Sequence, residues 1–141
     1  MLKGIPTILS PELLKTLAEM GHGDELVIAD GNFPAVSCAQ RLIRADGHDV
    51  PPMLEAILNL FPLDIFVDYP VALMSVVPGD NYSPDVWQVY DKIIRQHEPQ
   101  FKGFEYMERF AFYERAKSAF AVVATSERAR YANLIIKKGL L

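Results

Sequence analysis

The run Val71-Ala72-Leu73-Met74-Ser75-Val76-Val77 admits few places in a folded domain. Nearly every position is apolar, so a strand built from it has no face to turn toward water and belongs in the interior of a sheet covered on both sides. Such a sheet needs helices as its covering layers. The rest of the chain supplies them.

Ser10-Pro11-Glu12 is a helix start, with a capping hydroxyl, proline at the first helical position and an acid in the first turn. Leu13, Leu14, Leu17 and Ala18 form its apolar stripe, and Gly21 ends it. Pro51-Pro52 opens a second helix running to about Phe61, with Met53, Leu54, Ile57, Leu58 and Phe61 on one face before Pro62 closes it. Ser83-Pro84-Asp85 repeats the first start signal, and Val86, Val89, Tyr90, Ile93 and Ile94 carry a helix to about His97. A further helix is predicted over Arg109–Ser118. Strands are predicted at Glu25–Ala29, Arg41–Ala45, Val71–Val77, Phe104–Glu108, Phe120–Ala124 and Asn133–Lys137, and the segment after Ala29 reads as a Gly-, Asn- and Pro-rich loop. Helices alternating with short apolar strands predict an α/β fold: a single layered domain, residues 1–141, with a mixed β-sheet flanked by helices.

Composition narrows the partners. Half of the 141 residues are hydrophobic, which excludes disorder, and a net charge of −4 without a Lys/Arg cluster argues against nucleic acid or an anionic membrane. No apolar run approaches the roughly 18 residues that span a bilayer. A lone Cys38 cannot form an internal disulfide, and the amino terminus lacks a basic-then-apolar leader pattern, so the expected location is cytoplasmic.

Several chemistries fall away on spacing. Gly21-x-Gly23 lacks the third glycine of a dinucleotide fingerprint and precedes its strand instead of following it. His22, His48 and His97 have no zinc-site spacing, Cys38 adds nothing to them, and no metal is expected. There is no Gly-x-Ser-x-Gly elbow and no lysine-bearing phosphate loop.

What remains is a site-like bracket around one strand. Gly21-His22-Gly23 stands at the entrance of Glu25–Ala29 and Asp30-Gly31-Asn32 at its exit. Five strand residues span roughly 17 Å, so His22 and Asp30 meet only if the end loops fold back or a second subunit closes the gap. Arg109 and Tyr113 lie one helical turn apart and project from one side. Tyr131 and Asn133 are two apart entering the last strand and are expected to share a face. A histidine, a phenol, carboxylates, an amide and a guanidinium suit a polyhydroxylated ligand, whose hydroxyls need donors and acceptors alike. A sugar is the natural candidate.

Met20-Gly21-His22-Gly23-Asp24-Glu25, Asp30-Gly31-Asn32-Phe33-Pro34, Ile43-Arg44-Ala45-Asp46-Gly47, Leu63-Asp64, Arg109-Phe110-Ala111-Phe112-Tyr113-Glu114-Arg115-Ala116 and Tyr131-Ala132-Asn133-Leu134 resemble the fucose-directed branch of the ribose pyranase/fucose mutarotase (RbsD/FucU) family. The resemblance spans nearly the whole chain, and the Arg109–Arg115 segment sets it apart from the ribose-directed branch. It implies a cofactor-independent isomerase that interconverts the α and β anomers of a free monosaccharide, L-fucose or a relative. It further implies that His22 and Tyr113 are the acid/base residues and that Asp30, Asp64, Arg109, Tyr131 and Asn133 hold the sugar hydroxyls. A ring-shaped homo-oligomer, commonly a decamer, with sites at subunit boundaries is implied as well. The alternatives are pyran/furan interconversion of ribose and a non-catalytic sugar-binding oligomer.

Each residue also has an ordinary role open to it. His22 after a helix end can cap carbonyls, and Asp30 and Asp64 can serve as turn or loop carboxylates. Tyr113 between Phe residues can be core, and Arg109 can pair with Glu105 or Glu108. Tyr131 and Asn133 can belong to a strand pair or a subunit contact. His48 and His97 read as solvated loop or helix-end residues. Phe101–Phe104 and Leu134–Ile136 are the apolar stretches available for subunit contact.

Overall fold

The computed structural model describes residues 1–141. The elements run α1 (Pro11–Glu19), β1 (Glu25–Ala29), α2 (Ala35–Cys38), β2 (Leu42–Ala45), α3 (Val50–Leu58), β3 (Val71–Met74), α4 (Asp85–His97), β4 (Glu105–Met107), α5 (Arg109–Ser118), β5 (Ala121–Thr125) and β6 (Leu134–Lys137). The strands form one six-stranded sheet in the order β2-β5-β1-β6-β3-β4. β1 and β2 run parallel to β5, β3 runs parallel to β4, and β6 is antiparallel to both β1 and β3. The mixed α/β sheet expected from the sequence is therefore present.

Side-chain alternation divides the core between the two faces of this sheet. Leu26 and Ile28 of β1, Val71 and Leu73 of β3, Ala121 and Val123 of β5, and Leu134 and Ile136 of β6 face α1, α3 and α4. Val27, Ala29, Ala72, Met74, Val122, Ala124 and Ile135 face α2 and α5, where Phe33, Cys38, Phe112 and Ala116 meet them. The first cluster holds 25 buried residues and the second 13, so the second layer is thin and leaves room beside α5.

Local chemistry explains the helix starts, with two departures from expectation. Ser10 accepts the Leu13 N–H at 3.1 Å and caps α1 as expected, though Thr16 is buried where Ala18 was expected. Ser83 does not cap α4, because Pro84 takes the capping position itself. α3 receives its cap from a distance: the buried Glu127 carboxylate accepts the Val50 N–H at 3.2 Å.

The strand over Val71–Val77 ends at Met74. Beyond that residue it is held by a Ser75 N–H to Met107 carbonyl bond of 2.7 Å and a Val77 N–H to Tyr131 hydroxyl bond of 3.4 Å, since β4 is three residues long. Residues 35–38, read as loop, form the single-turn α2. Leu134–Ile136 is no contact surface: all three residues are fully buried in the sheet, each contributing about 1.5–3 kcal/mol by leaving water. Phe101 is buried too. One exposed apolar stretch lies instead at Ile65, Phe66, Val67 and Tyr69, and others include Val36, Tyr106 and Phe110.

Candidate active site

Because β6 alone runs against the others, the carboxyl ends of β1, β3 and β4 and the amino end of β6 open on the same side of the sheet. Crevices outside the carboxyl ends of strands are where α/β sheets bind ligands. A cleft of about 330 Å³ lies there, within the range of small-molecule sites. Asp30, Arg109, Tyr113, Tyr131 and Asn133 all line it.

Asp30 is the first residue past β1 and is buried. Its Oδ1 accepts the Asn32 N–H at 2.9 Å, and its own N–H donates to Asn133 Oδ1 at 2.7 Å. Asn133 thereby spends its oxygen on the backbone and keeps its amide N–H groups for the cleft. Burial pushes the Asp30 carboxyl above its ordinary value of 3.8, against the opposing pull of the Asn32, Phe33 and Ala132 N–H groups.

Tyr113 is positioned by the way α5 begins. Glu108 accepts the Phe110 and Ala111 N–H groups at 2.9 and 3.1 Å and caps the helix, while Glu105 pairs with Arg115 at 3.0 Å. Neither carboxylate is left for Arg109. Arg109 instead donates from Nε to the Tyr113 hydroxyl oxygen at 3.1 Å, and the Phe33 ring meets Tyr113 edge-on at 5.5 Å. With its oxygen accepting from a cation, the Tyr113 O–H is left to donate.

Tyr131 and Asn133 reach the cleft, but strand alternation does not bring them there. Tyr131 precedes β6 and has φ 57°, the left-handed region that a bulky side chain seldom occupies. It is anchored from α4, where Trp87 Nε1 donates to the Tyr131 carbonyl at 2.7 Å and the Tyr90 hydroxyl donates to the Ala132 carbonyl at 2.7 Å.

His22 and Asp64 lie at the other end of the sheet. Gly23, at φ 89°, turns the chain out of α1 and donates to the Lys138 carbonyl just beyond β6, and Leu63 bridges to Lys138. The His22 Nε2 and Asp64 Oδ1 are 3.1 Å apart, the imidazole partly exposed over a buried carboxylate. Asp64 Oδ1 also accepts the Phe66 N–H at 3.0 Å, and the Phe66 ring stands 5.6 Å from the imidazole. Burial alone would raise the Asp64 carboxyl, but the Phe66 N–H and His22 outweigh it and hold it below 3.8. Nε2–H donating to the carboxylate leaves Nδ1 as an acceptor turned outward. Within one chain, then, His22 and Asp64 share a pair, the other five candidates share a cleft, and the length of β1 separates the two groups.

Asn32, Phe33, Met74, Val77 and Arg130 also line the cleft and were not singled out from the sequence. Arg130 adjoins Tyr131 in the chain, which is the one signal that pointed to it. His97 ends α4 as expected, but it is paired instead of simply solvated, its Nε2 lying 2.9 Å from Glu55 of α3.

A small α/β domain with a carboxylate, amide, guanidinium and two phenols around one cleft is built to receive a polyhydroxylated small molecule. The chain belongs to the RbsD / FucU transport protein family, whose sequence profile matches residues 3–141. It is 53% identical over 146 residues to the fucose mutarotase of Mus musculus, covering 99% of this chain and 95% of that protein. It is also similar to the crystal structure of the fucose mutarotase in complex with L-fucose from Streptococcus pneumoniae, with a TM-score of 0.95, 51% identity and 99% of each chain covered. The Bacillus subtilis RbsD complexed with D-ribose shares the fold, with a TM-score of 0.74 at 24% identity over 100% of this chain and 99% of that one.

Proposed function

We infer that this protein is a cofactor-independent L-fucose mutarotase, with His22 and Tyr113 as its acid/base residues. The observation that carries the reading is the cleft, where Asp30 and Asn133 offer an acceptor and donors to sugar hydroxyls beside the Tyr113 hydroxyl. Fucose mutarotases at about half identity over the full chain support the substrate.

Mutarotation moves two protons. A base takes the anomeric O–H proton, the freed electron pair forms the C1 carbonyl, the bond from C1 to the ring oxygen breaks, and an acid protonates that oxygen. After rotation about the bond to C1, the ring oxygen attacks the other carbonyl face and both protons return. Tyr113 suits the acid role, because the phenolate it becomes faces the Arg109 guanidinium. Neutral His22 suits the base role through Nδ1, because the imidazolium it becomes faces the buried Asp64 carboxylate. On reclosure each group reverses its part. Both bonds to Asp64 fall on Oδ1, so Oδ2 keeps acceptor capacity for a sugar hydroxyl.

The two halves of this machinery join only between subunits. The exposed Ile65, Phe66, Val67 and Tyr69 beside His22 supply apolar surface for a second copy, so one copy's His22–Asp64 pair closes the cleft of another. A ring-shaped homo-oligomer, the decamer of the family resemblance, is the assembly that fits. A buried free thiol at Cys38 accords with the reducing cytoplasm. No helix is long and apolar enough to cross a membrane.

Saturation transfer by NMR between the α and β anomers tests the reading. The protein is expected to accelerate exchange for L-fucose more than for ribose, and His22→Ala to abolish the acceleration. Sugar binding with unchanged exchange would make it a binding protein only.

A further inference from the structure

The turn after β3, Pro78-Gly79-Asp80-Asn81, places a carboxylate against the cleft wall that the acid/base account does not use. Asp80 Oδ2 accepts the Tyr131 O–H at 2.7 Å and pairs with the Arg130 guanidinium, while Oδ1 accepts the Tyr82 N–H at 3.0 Å. Arg130 lies over the rings of Tyr82 and Tyr131, 4.8 and 5.5 Å from their centroids. The Tyr131 hydrogen bond, then the Tyr82 N–H, hold the Asp80 carboxyl below its ordinary 3.8, so it accepts as an anion at neutral pH.

A phenol has one proton, and Asp80 takes the direction of this one. The Tyr131 oxygen also accepts the Val77 N–H at 3.4 Å, so Tyr131 presents its remaining lone-pair capacity, and no proton, to the cleft. Tyr113 has the opposite arrangement, since a cation donates to its oxygen and leaves its proton free. The two phenols of one cleft are thus set to opposite hydrogen-bonding senses by an anion behind one and a cation beside the other.

We propose that Asp80 is a positioning and specificity-determining residue: by taking the Tyr131 proton and holding Arg130, it makes Tyr131 an obligate acceptor that selects a sugar hydroxyl able to donate. This rests on the L-fucose reading above and deepens it. Asp80→Asn removes the charge that holds both the Tyr131 proton and the Arg130 guanidinium, and where its amide N–H comes to face Tyr131 the phenol proton turns into the cleft to face the sugar's own O–H proton. Asp80→Ala leaves the phenol unbiased.

The test compares wild type, Asp80→Asn, Tyr131→Phe and the double variant, with L-fucose exchange followed by saturation transfer and L-fucose affinity by calorimetry. Asp80→Asn is expected to raise KM and Kd about tenfold, the size of one lost hydrogen bond, with kcat within about twofold. In the Tyr131→Phe background the same substitution is expected to add nothing, because no phenol remains to orient. The emission of Trp87, the single tryptophan, which donates to the Tyr131 carbonyl, reports whether the wall stays folded in each variant.

Unchanged KM and Kd in Asp80→Asn would overturn the proposal. So would an Asp80→Asn loss that adds in full to that of Tyr131→Phe, since a carboxylate that merely braced the turn would behave that way. If wild type binds L-fucose without accelerating exchange, the mutarotase reading fails, and the Kd comparison still decides the role of Asp80.

Discussion

Arg109 Nε donates to the Tyr113 hydroxyl oxygen at 3.1 Å across one turn of α5. The contact both orients the phenol and stands ready to stabilise a phenolate. Tyr113→Phe is expected to lower kcat for L-fucose anomer exchange about 10²- to 10⁴-fold, the usual contribution of a positioned acid. Its ring stays packed on Phe33, so the melting temperature is expected to stay close to that of wild type. Saturation transfer beside a thermal melt checks both halves.

Asp30 is a proposed acceptor for the sugar, so binding is expected to depend on pH. Its carboxyl is raised by burial, so above 3.8 it is the first cleft acceptor lost as pH falls, and L-fucose affinity is expected to decline in that window. Asp30→Asn is expected to bind more weakly and without this pH dependence. Stability follows from the same shift: between 3.8 and the raised value the folded state holds more protons than the unfolded state, so the Asp30 contribution falls as pH rises. The difference in unfolding free energy between wild type and Asp30→Asn, measured in urea across that range, is expected to show this sign. A flat difference would contradict the burial argument.

Asp64 fixes the imidazole tautomer. Asp64→Asn keeps an oxygen facing Nε2, because the Phe66 N–H needs an acceptor at the same position, but it removes the negative charge that faces the imidazolium and is expected to cut kcat at least about 10²-fold. Its effect on stability has the opposite sign to that of Asp30. A carboxyl held below 3.8 contributes above that value and loses its contribution as pH falls through its folded value, so wild type is expected to lose more stability in acid than Asp64→Asn. Activity profiles and acid unfolding of the two proteins check this.

Gly139 tests the support beneath the pair. A Cβ there would meet the Leu63 carbonyl oxygen at 2.5 Å and the Asp64 Cα at 2.9 Å, both backbone. Gly139→Ala is expected to cost about 1–3 kcal/mol in urea unfolding, as overpacking does, and to lower activity by shifting Asp64 under His22. Full stability with full activity would show that the strand end moves freely.

The layered α/β fold was legible because its signals are local: the Ser10 cap, the proline starts of α1 and α3, and apolar runs too continuous for a one-sided strand. Apolar pattern reports burial, however, and not pairing, so the apolar run Val71–Val77 is longer than the ladder its neighbours provide. α2 spans four residues, too few for helical period to appear. Arg109 and Tyr113 were legible together because a helix places residues four apart on one side. Tyr131 was named through the family resemblance, but its route into the cleft was not legible, being a left-handed turn held by Trp87 and Tyr90 some 40 residues away in sequence. Asp80 sits in a Pro-Gly-Asp-Asn turn and carries no local signal of its role, because its partners, Arg130 and Tyr131, are about 50 positions distant.

The central claim, that the imidazole of one subunit serves the phenol of another, is tested most directly by mixing two inactive proteins. His22→Ala and Tyr113→Phe assemblies are each expected to leave L-fucose exchange near its uncatalysed rate. Unfolded together in equal amounts and refolded, they are expected to regain about a quarter of wild-type activity, the fraction of shared sites that receive both intact residues by chance. Refolded mixtures that assemble normally and remain inactive would contradict the account.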